Sequence, residues 1–220
     1  MLEYLESLWA TLILYGEQLL VCTVQHTVYV VVSVLIGLAV GLFLGVLLSR
    51  IRKGIPLITA LLSVFQTIPG LVFIGVLFIA WGDSYATVIV ALSTYAMFPI
   101  MKNTYTGIKG IDPQYIEAAQ GCGMSYLQLL FNVELPLAMP SIVAGLRMAT
   151  IYTVSWAVLA SMIGLGGLGD FVYRGTASNN NTLILLGAFP AAILAILFGI
   201  LIDWMQAKIV SKGIRGESTS

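Results

Sequence analysis

The sequence predicts an all-α integral membrane protein of about five transmembrane helices, with its N-terminus outside and its C-terminus in the cytoplasm. Three observations carry that prediction. The chain has 220 residues, of which 59% are hydrophobic and 9% charged, whereas an ordinary soluble domain carries roughly a quarter charged residues. Its mean hydropathy is +0.99. Five stretches, at about 26–48, 57–80, 85–101, 138–163 and 182–205, approach or exceed the ~20 apolar residues that cross a bilayer. The basic residues, finally, fall into a few of the connections.

Residues 1–20 lack the basic start of a cleaved signal peptide, and Glu3, Glu6 and Glu17 interrupt their apolar run; they read as an N-terminal amphipathic surface helix, an extra span being the alternative. Residues 21–210 then form a single membrane domain containing a polar loop at 102–136, and 211–220 a tail. Arg50, Arg52 and Lys53 follow the first span, Lys102 and Lys109 the third, and Lys208, Lys212 and Arg215 the fifth. Loops rich in basic residues stay in the cytoplasm, which fixes the orientation. Formal net charge is zero, so nothing points to nucleic acid. Cys22 and Cys122 then lie at opposite membrane faces and do not pair.

In the first span Gly37, Gly41 and Gly45 recur every four residues. They line one helical face where another backbone can approach closely, within the chain or across a subunit contact. His26 has no Cys, Asp or Glu at metal-ligand spacing and reads as an interfacial histidine. The second span places Gln66, Thr67, Pro69 and Gly70 near its middle, where unsatisfied backbone groups are costly. Either a proline kink satisfied by Thr67 or a neighbouring helix, or a gate on a transport path, explains the cluster, and both can hold together. With Ser155 and Ser161 of the fourth span, Gln66, Thr67 and Pro69 are the polar residues at membrane depth expected to line such a path. Pro190 in the fifth span reads as a kink among apolar neighbours. Arg147 falls in the fourth span near its cytoplasmic end, within reach of the interface and of a pairing with Asp203. Trp81, Tyr152 and Trp156 read as packing or interfacial aromatics.

The loop between the third and fourth spans is too polar for membrane and too patterned for a slack linker. Asp112-Pro113 is a cap and first-turn pair, so a short helix starts there and stops at Gly121 or Gly123, where a left-handed cap is sterically cheap. Ser125 and Gln128 are spaced as a capping box for a second helix, which Leu135-Pro136 ends.

These residues carry a resemblance. Glu117-Ala118-Ala119, three residues, Gly123, nine residues, then Val133-x-Leu135-Pro136 resembles the EAA signature of ABC-importer permeases. Gln66-Thr67-Ile68-Pro69, the run Lys102 to Gly107, and Gly164-x-Gly166-Gly167-Leu168-Gly169-Asp170 extend it, from about residue 25 to 205, toward the osmoprotectant permeases serving glycine betaine, carnitine or choline, on a methionine-importer-like permease fold. Lys102 stands where that pattern has arginine.

The resemblance implies a transport subunit rather than an enzyme. The region of Glu117, Ala118, Ala119, Gly121 and Gly123 would be the coupling helix that sits on an ABC ATPase subunit, with Leu135 and Pro136 closing the signature. It further implies two copies of that ATPase, an extracytoplasmic substrate-binding protein, and a second permease subunit, identical or paralogous, all assembled in membrane lipid. The glycine-rich run 164–170 lacks the Gly-Lys-Ser/Thr ending of a phosphate loop and reads as a tight turn. No such loop occurs in the chain, so cofactors are none here, and ATP and Mg would be bound by the partner ATPase. Other readings are a permease for another small solute such as an amino acid, an ATP-independent secondary transporter, and an intramembrane enzyme; the last two lack repeat halves and a metal or nucleophile constellation, respectively.

Overall fold

In hydrocarbon each backbone amide and carbonyl must find its partner within the protein, and a helix satisfies them segment by segment. The computed structural model describes residues 2–51, 64, 66–161, 164 and 166–209, and these are helical with short connections and no strand. In chain order the helices are α1 (Leu2–Arg50), α2 (Gly70–Trp81), α3 (Tyr85–Lys109), α4 (Pro113–Gly121), α5 (Tyr126–Leu129), a π-helical turn (Leu130–Glu134), α6 (Leu135–Ala160), α7 (Gly169–Ala177) and α8 (Asn181–Ile209). Among the described residues, four runs are long and apolar enough to cross a membrane: Thr11–Arg50, Tyr85–Lys109, Tyr126–Ala160 and Asn181–Lys208.

The first helix departs from expectation. Its 49 residues extend about 74 Å, more than a bilayer's hydrocarbon core needs, and residues 2–20 run without a break into the first span. No proline interrupts this stretch, and one glycine, Gly16, is too weak a breaker to end a helix this apolar. Thr23 and Thr27 keep their hydroxyls paired within it by donating to the carbonyls of Leu19 and Thr23, at 2.7 and 2.8 Å.

The second span is described in part. Residues 57–63 and 65 of the expected 57–80 lie outside the described residues, and the helix that follows Pro69, α2, has 12 residues, about 18 Å. The third reaches from its Ser84 cap, which accepts from the Thr87 amide at 3.2 Å, down to Lys109, well beyond its apolar part. The fifth is α8, with Pro190 inside it.

Small residues weld α1, α3 and α6 together. A Cβ at Gly37 would sit 2.7 Å from the Ala96 Cβ, one at Gly41 2.8 Å from the Met97 carbonyl oxygen, and one at Gly45 2.6 Å from the Thr104 Cβ. The glycine stripe of the first span is therefore spent within the chain, on α3. On the other side of α3, Gly107 meets Ser141 and Gly145 meets Asn103 and the Pro99 carbonyl of the α3 backbone, again closer than a side chain allows. Missing side chains let helices approach until dispersion contacts act along their whole length, the main attraction available where lipid is as apolar as leucine.

The turn after α6 breaks helix as expected: Gly164, Gly166 and Gly167 all have positive φ, at 88°, 72° and 93°. It folds over the first span, and His26, expected at an interface, is instead wholly buried. Its Nδ1 lies 3.5 Å from where a Gly167 Cβ would be. Beside it Cys22 packs with Leu168, Phe171, Leu186 and Ala191. Cys22 is buried and Cys122 exposed, and both are free thiols.

Gly45→Ala is expected to lower the melting temperature of the detergent-purified protein by roughly 5 °C through overpacking against α3. Gly75→Ala, where a Cβ meets open space, is the matched control and should leave it unchanged or slightly raised. Differential scanning fluorimetry distinguishes the two.

Candidate functional site

Between α3 and α6 the chain leaves the bundle and returns as a capped hairpin. The Asp112 carboxylate accepts from the Gln114 amide at 3.0 Å, and Pro113, which has no amide to leave unpaired, opens α4. The helix closes at Cys122, after which Gly123 takes φ +78°, a left-handed step that glycine alone makes without strain. The capping box then forms in both directions: the Ser125 amide donates to Gln128 Oε1 at 2.8 Å and the Gln128 amide to Ser125 Oγ at 3.5 Å.

On α4, Gln114, Glu117, Ala118 and Gly121 are exposed while Ala119 is buried against the hairpin. Spacings of three and four residues put the exposed four on one helical face. That face is shallow, with one carboxylate and no bulky side chain across its centre, so a second protein can approach the helix backbone closely. Leu135 and Pro136 are half-buried at the return into the bundle.

Leu135-Pro136 does not end the second hairpin helix as expected. The helical run continues from Tyr126 to Ala160 because a π-helical turn at Leu130–Glu134 absorbs the proline. There the Leu135 amide donates to the Leu130 carbonyl, five residues back, and the wider turn accommodates Pro136, whose ring would crowd a regular α-turn.

Sequence reasoning passed over the interaction that anchors this turn. Arg50, the last residue of α1, makes a two-pronged ion pair with Glu134: Nη1 donates to Oε1 at 2.8 Å and Nη2 to Oε2. Glu134 is 4% exposed. The guanidinium also lies over the Tyr126 ring, 4.8 Å from its centroid, so it touches both the start of α5 and the end of the π turn. The available signal was an acidic residue set between Val133 and Leu135 in an apolar run, which demands a cation nearby.

The expected path residues separate into two groups. Gln66, Thr67 and Pro69 are exposed around a break in the second span, where Pro69 adopts extended backbone with ψ 128° before α2 begins. Thr67 Oγ1 donates to the Val64 carbonyl at 2.7 Å and the Tyr95 hydroxyl to that of Ile68 at 2.9 Å; the carbonyl that Pro69 would free in a regular helix, that of residue 65, lies outside the described residues. Tyr95 is itself held by Trp156, stacked at 4.8 Å with 13° between the planes, and by the edge of Phe73. Trp156 lies so close over Gly70 that a Cβ there would fall inside its ring. Ser155, the neighbour of Trp156, is exposed.

Ser161 does not join them. It is 2% exposed, its hydroxyl donates to the Ala157 carbonyl at 3.0 Å, and the glycine turn covers it, so it lines no open face here. Arg147 does pair with Asp203, at 3.1 Å, with both side chains about half exposed. Trp81 and Tyr152 are exposed.

Among the described residues, long apolar helices packed as a bundle with a capped polar hairpin between two of them make the architecture of a membrane transport subunit. The chain belongs to the family of binding-protein-dependent transport system inner membrane components, whose pattern matches residues 29–215. It is thus an inner-membrane transport subunit.

Among its relatives are the carnitine transport permease protein OpuCB of Listeria monocytogenes, 38% identical over 91% of this chain and 92% of its own, and the glycine betaine/carnitine/choline transport system permease protein OpuCB of Bacillus subtilis, 38% identical over 91% and 93%. The choline transport system permease protein OpuBB of Bacillus subtilis is 38% identical over 91% and 92%. The fold matches a solved chain of the MetNI methionine ABC transporter in an inward-facing conformation, with a TM-score of 0.76 and 23% identity over 88% of this chain and 96% of that one.

Tyr95→Phe keeps the aromatic stack but removes the donor to the Ile68 carbonyl. It is expected to cost about 1 kcal/mol of stability, read as a lower melting temperature in detergent. A variant as stable as the parent would mean that this carbonyl finds another donor.

Proposed function

We propose that this chain is the permease subunit of an importer of quaternary-ammonium compatible solutes, glycine betaine, carnitine or choline, driven by ATP hydrolysis on a separate subunit. The observation that carries the substrate class is the near full-length similarity to relatives named for those three solutes. The hairpin supports the reading of how the subunit is powered and carries no information about the cargo.

In this reading Arg50, Lys109 and Lys208 mark the cytoplasmic end of the bundle, the N-terminus is outside, and the face of Gln114, Glu117, Ala118 and Gly121 docks in a groove of the ATPase. Two ATPase copies act on two permeases around a central path. Similarity to two permeases with the same printed role in Bacillus subtilis, OpuCB and OpuCD, the latter 39% identical over 73% of this chain, is compatible with a paralogous second permease as well as with a homodimer. Solute reaches the outer face on an extracytoplasmic binding protein. ATP and Mg are held by the ATPase, and closure of its dimer moves α4, rocking the spans between outward and inward openings. Gln66, Thr67, Pro69 and Ser155 line the path at the break of the second span. An irregular backbone at membrane depth is tolerated where it faces protein or water, and it is exposed in the single subunit.

Two experiments test this. Glu117→Lys and Gly123→Val are each expected to reduce co-purification with the cognate ATPase, and solute-stimulated ATP hydrolysis, by about tenfold or more, corresponding to about 1.4 kcal/mol or more of lost contact; unchanged complex and stimulation in both would remove the docking assignment. Uptake of labelled glycine betaine, carnitine and choline with the cognate binding protein is expected to exceed that of methionine. Uptake of methionine alone would overturn the substrate class.

A further inference from the structure

The Arg50–Glu134 pair has a position that packing alone does not explain. The hairpin hangs between α3, which leads into it, and α6, which leaves it, while α1 has no covalent link to either end. Along its length α1 is fastened to α3 by the glycine stripe, and α3 to α6 by Gly107 and Gly145. Leu42 and Val46 of α1 also pack on Ile108, Ala138 and Ile142. Below that layer, the contact from α1 to the hairpin's return arm is Arg50, through Glu134 and the Tyr126 ring.

Between the docking face and α6 lies the π turn. Such a turn carries one residue more than an α-turn, so it has a neighbouring register, without the extra residue, into which the segment can slip. Glu134 is the last residue of that turn and is buried. A guanidinium fork meeting a carboxylate with two parallel bonds fixes both the position and the orientation of the carboxylate, and hence the register of the turn.

We propose that Arg50 is a positioning residue for energy coupling: by gripping Glu134 and Tyr126 it locks the π turn and joins the hairpin rigidly to the α1–α3–α6 unit, so that displacement of α4 moves the three spans together. This deepens the ATPase-docking reading of the hairpin and rests on it. Without the clamp the hairpin still docks, but part of its displacement is absorbed at Leu130–Glu134 instead of reaching the spans.

The test uses the complete transporter, with ATPase and binding protein, in proteoliposomes, and reads two rates together: ATP hydrolysis and uptake of labelled glycine betaine. Arg50→Ala and, separately, the nearly isosteric Glu134→Gln are expected to leave the complex assembled and hydrolysis within about twofold of the parent, while uptake per ATP falls about fivefold or more, the lower range of typical coupling effects. Combined, the two should be no worse than the more damaging single change, because they break one link. Arg50→Lys, which keeps the charge without the fork, should fall between parent and Arg50→Ala. The proposal is overturned if uptake per ATP is unchanged in both single variants, if their losses add in the double variant, or if none of the three single variants assembles, which would make the pair an element of folding. Failure of the docking reading looks different, since the ATPase then fails to respond to Glu117→Lys in the otherwise unaltered chain.

Discussion

The structure depends on one constraint: within hydrocarbon, every backbone donor and acceptor must be answered by the protein itself. Long helices are the direct answer, and a chain that is 59% hydrophobic has few others. The constraint also dictates what surrounds the one irregular stretch described at membrane depth, Thr67 to Pro69. The Ile68 carbonyl accepts from the Tyr95 hydroxyl and that of Pro69 from the Val72 and Phe73 amides, and the tyrosine is held by Trp156 and Phe73. The aromatic cluster is a consequence of the break. Gly70 follows from the cluster, because a side chain there would occupy the space of the Trp156 ring.

Once backbone groups are satisfied inside helices, little drives helices together in a lipid solvent, so close approach must supply the attraction. The small residues of α1, α3 and α6 do this from both sides of α3. A tight unit of three helices results, and the hairpin grows from two of them. Because interfaces packed this closely move as bodies and not by continuous deformation, whatever displaces the hairpin has a stiff object to act upon.

Much of this was legible from residue order, because the relevant forces are local. Asp112-Pro113, Gly123 and the Ser125–Gln128 pair each satisfy backbone groups within a few residues, and each behaves as its spacing predicts. The glycine stripe was legible as a close contact, although which partner it meets was not. What escaped was long-range. Arg50 and Glu134 are 84 residues apart, and neither has a local pattern that names the other. His26 and Ser161 look like an interfacial and a path residue until the glycine turn, from the far end of α6, folds over them. The continuity of α1 was missed for the opposite reason: three glutamates suggested a boundary, but charge does not break a helix, and no residue in that stretch does. Pro136 misled similarly, since proline ends a regular helix but not one that widens beforehand.

Energetics sharpen the role of the Arg50–Glu134 pair. Desolvating the buried Glu134 carboxylate and part of the half-buried Arg50 guanidinium offsets most of their attraction, so the pair contributes little net stability compared with apolar residues of the same volume. Apolar side chains at these positions would avoid that cost, yet they make no directional bond, so they would fix the orientation of the turn less sharply. A guanidinium fork fixes it, because its two bonds exist in one orientation only. The pair therefore supplies direction where the remainder of the bundle supplies adhesion, and it does so at the end of the turn where rigidity of the helix is weakest. Adhesion without direction is enough to hold helices in a membrane, but a lever also needs its joint fixed.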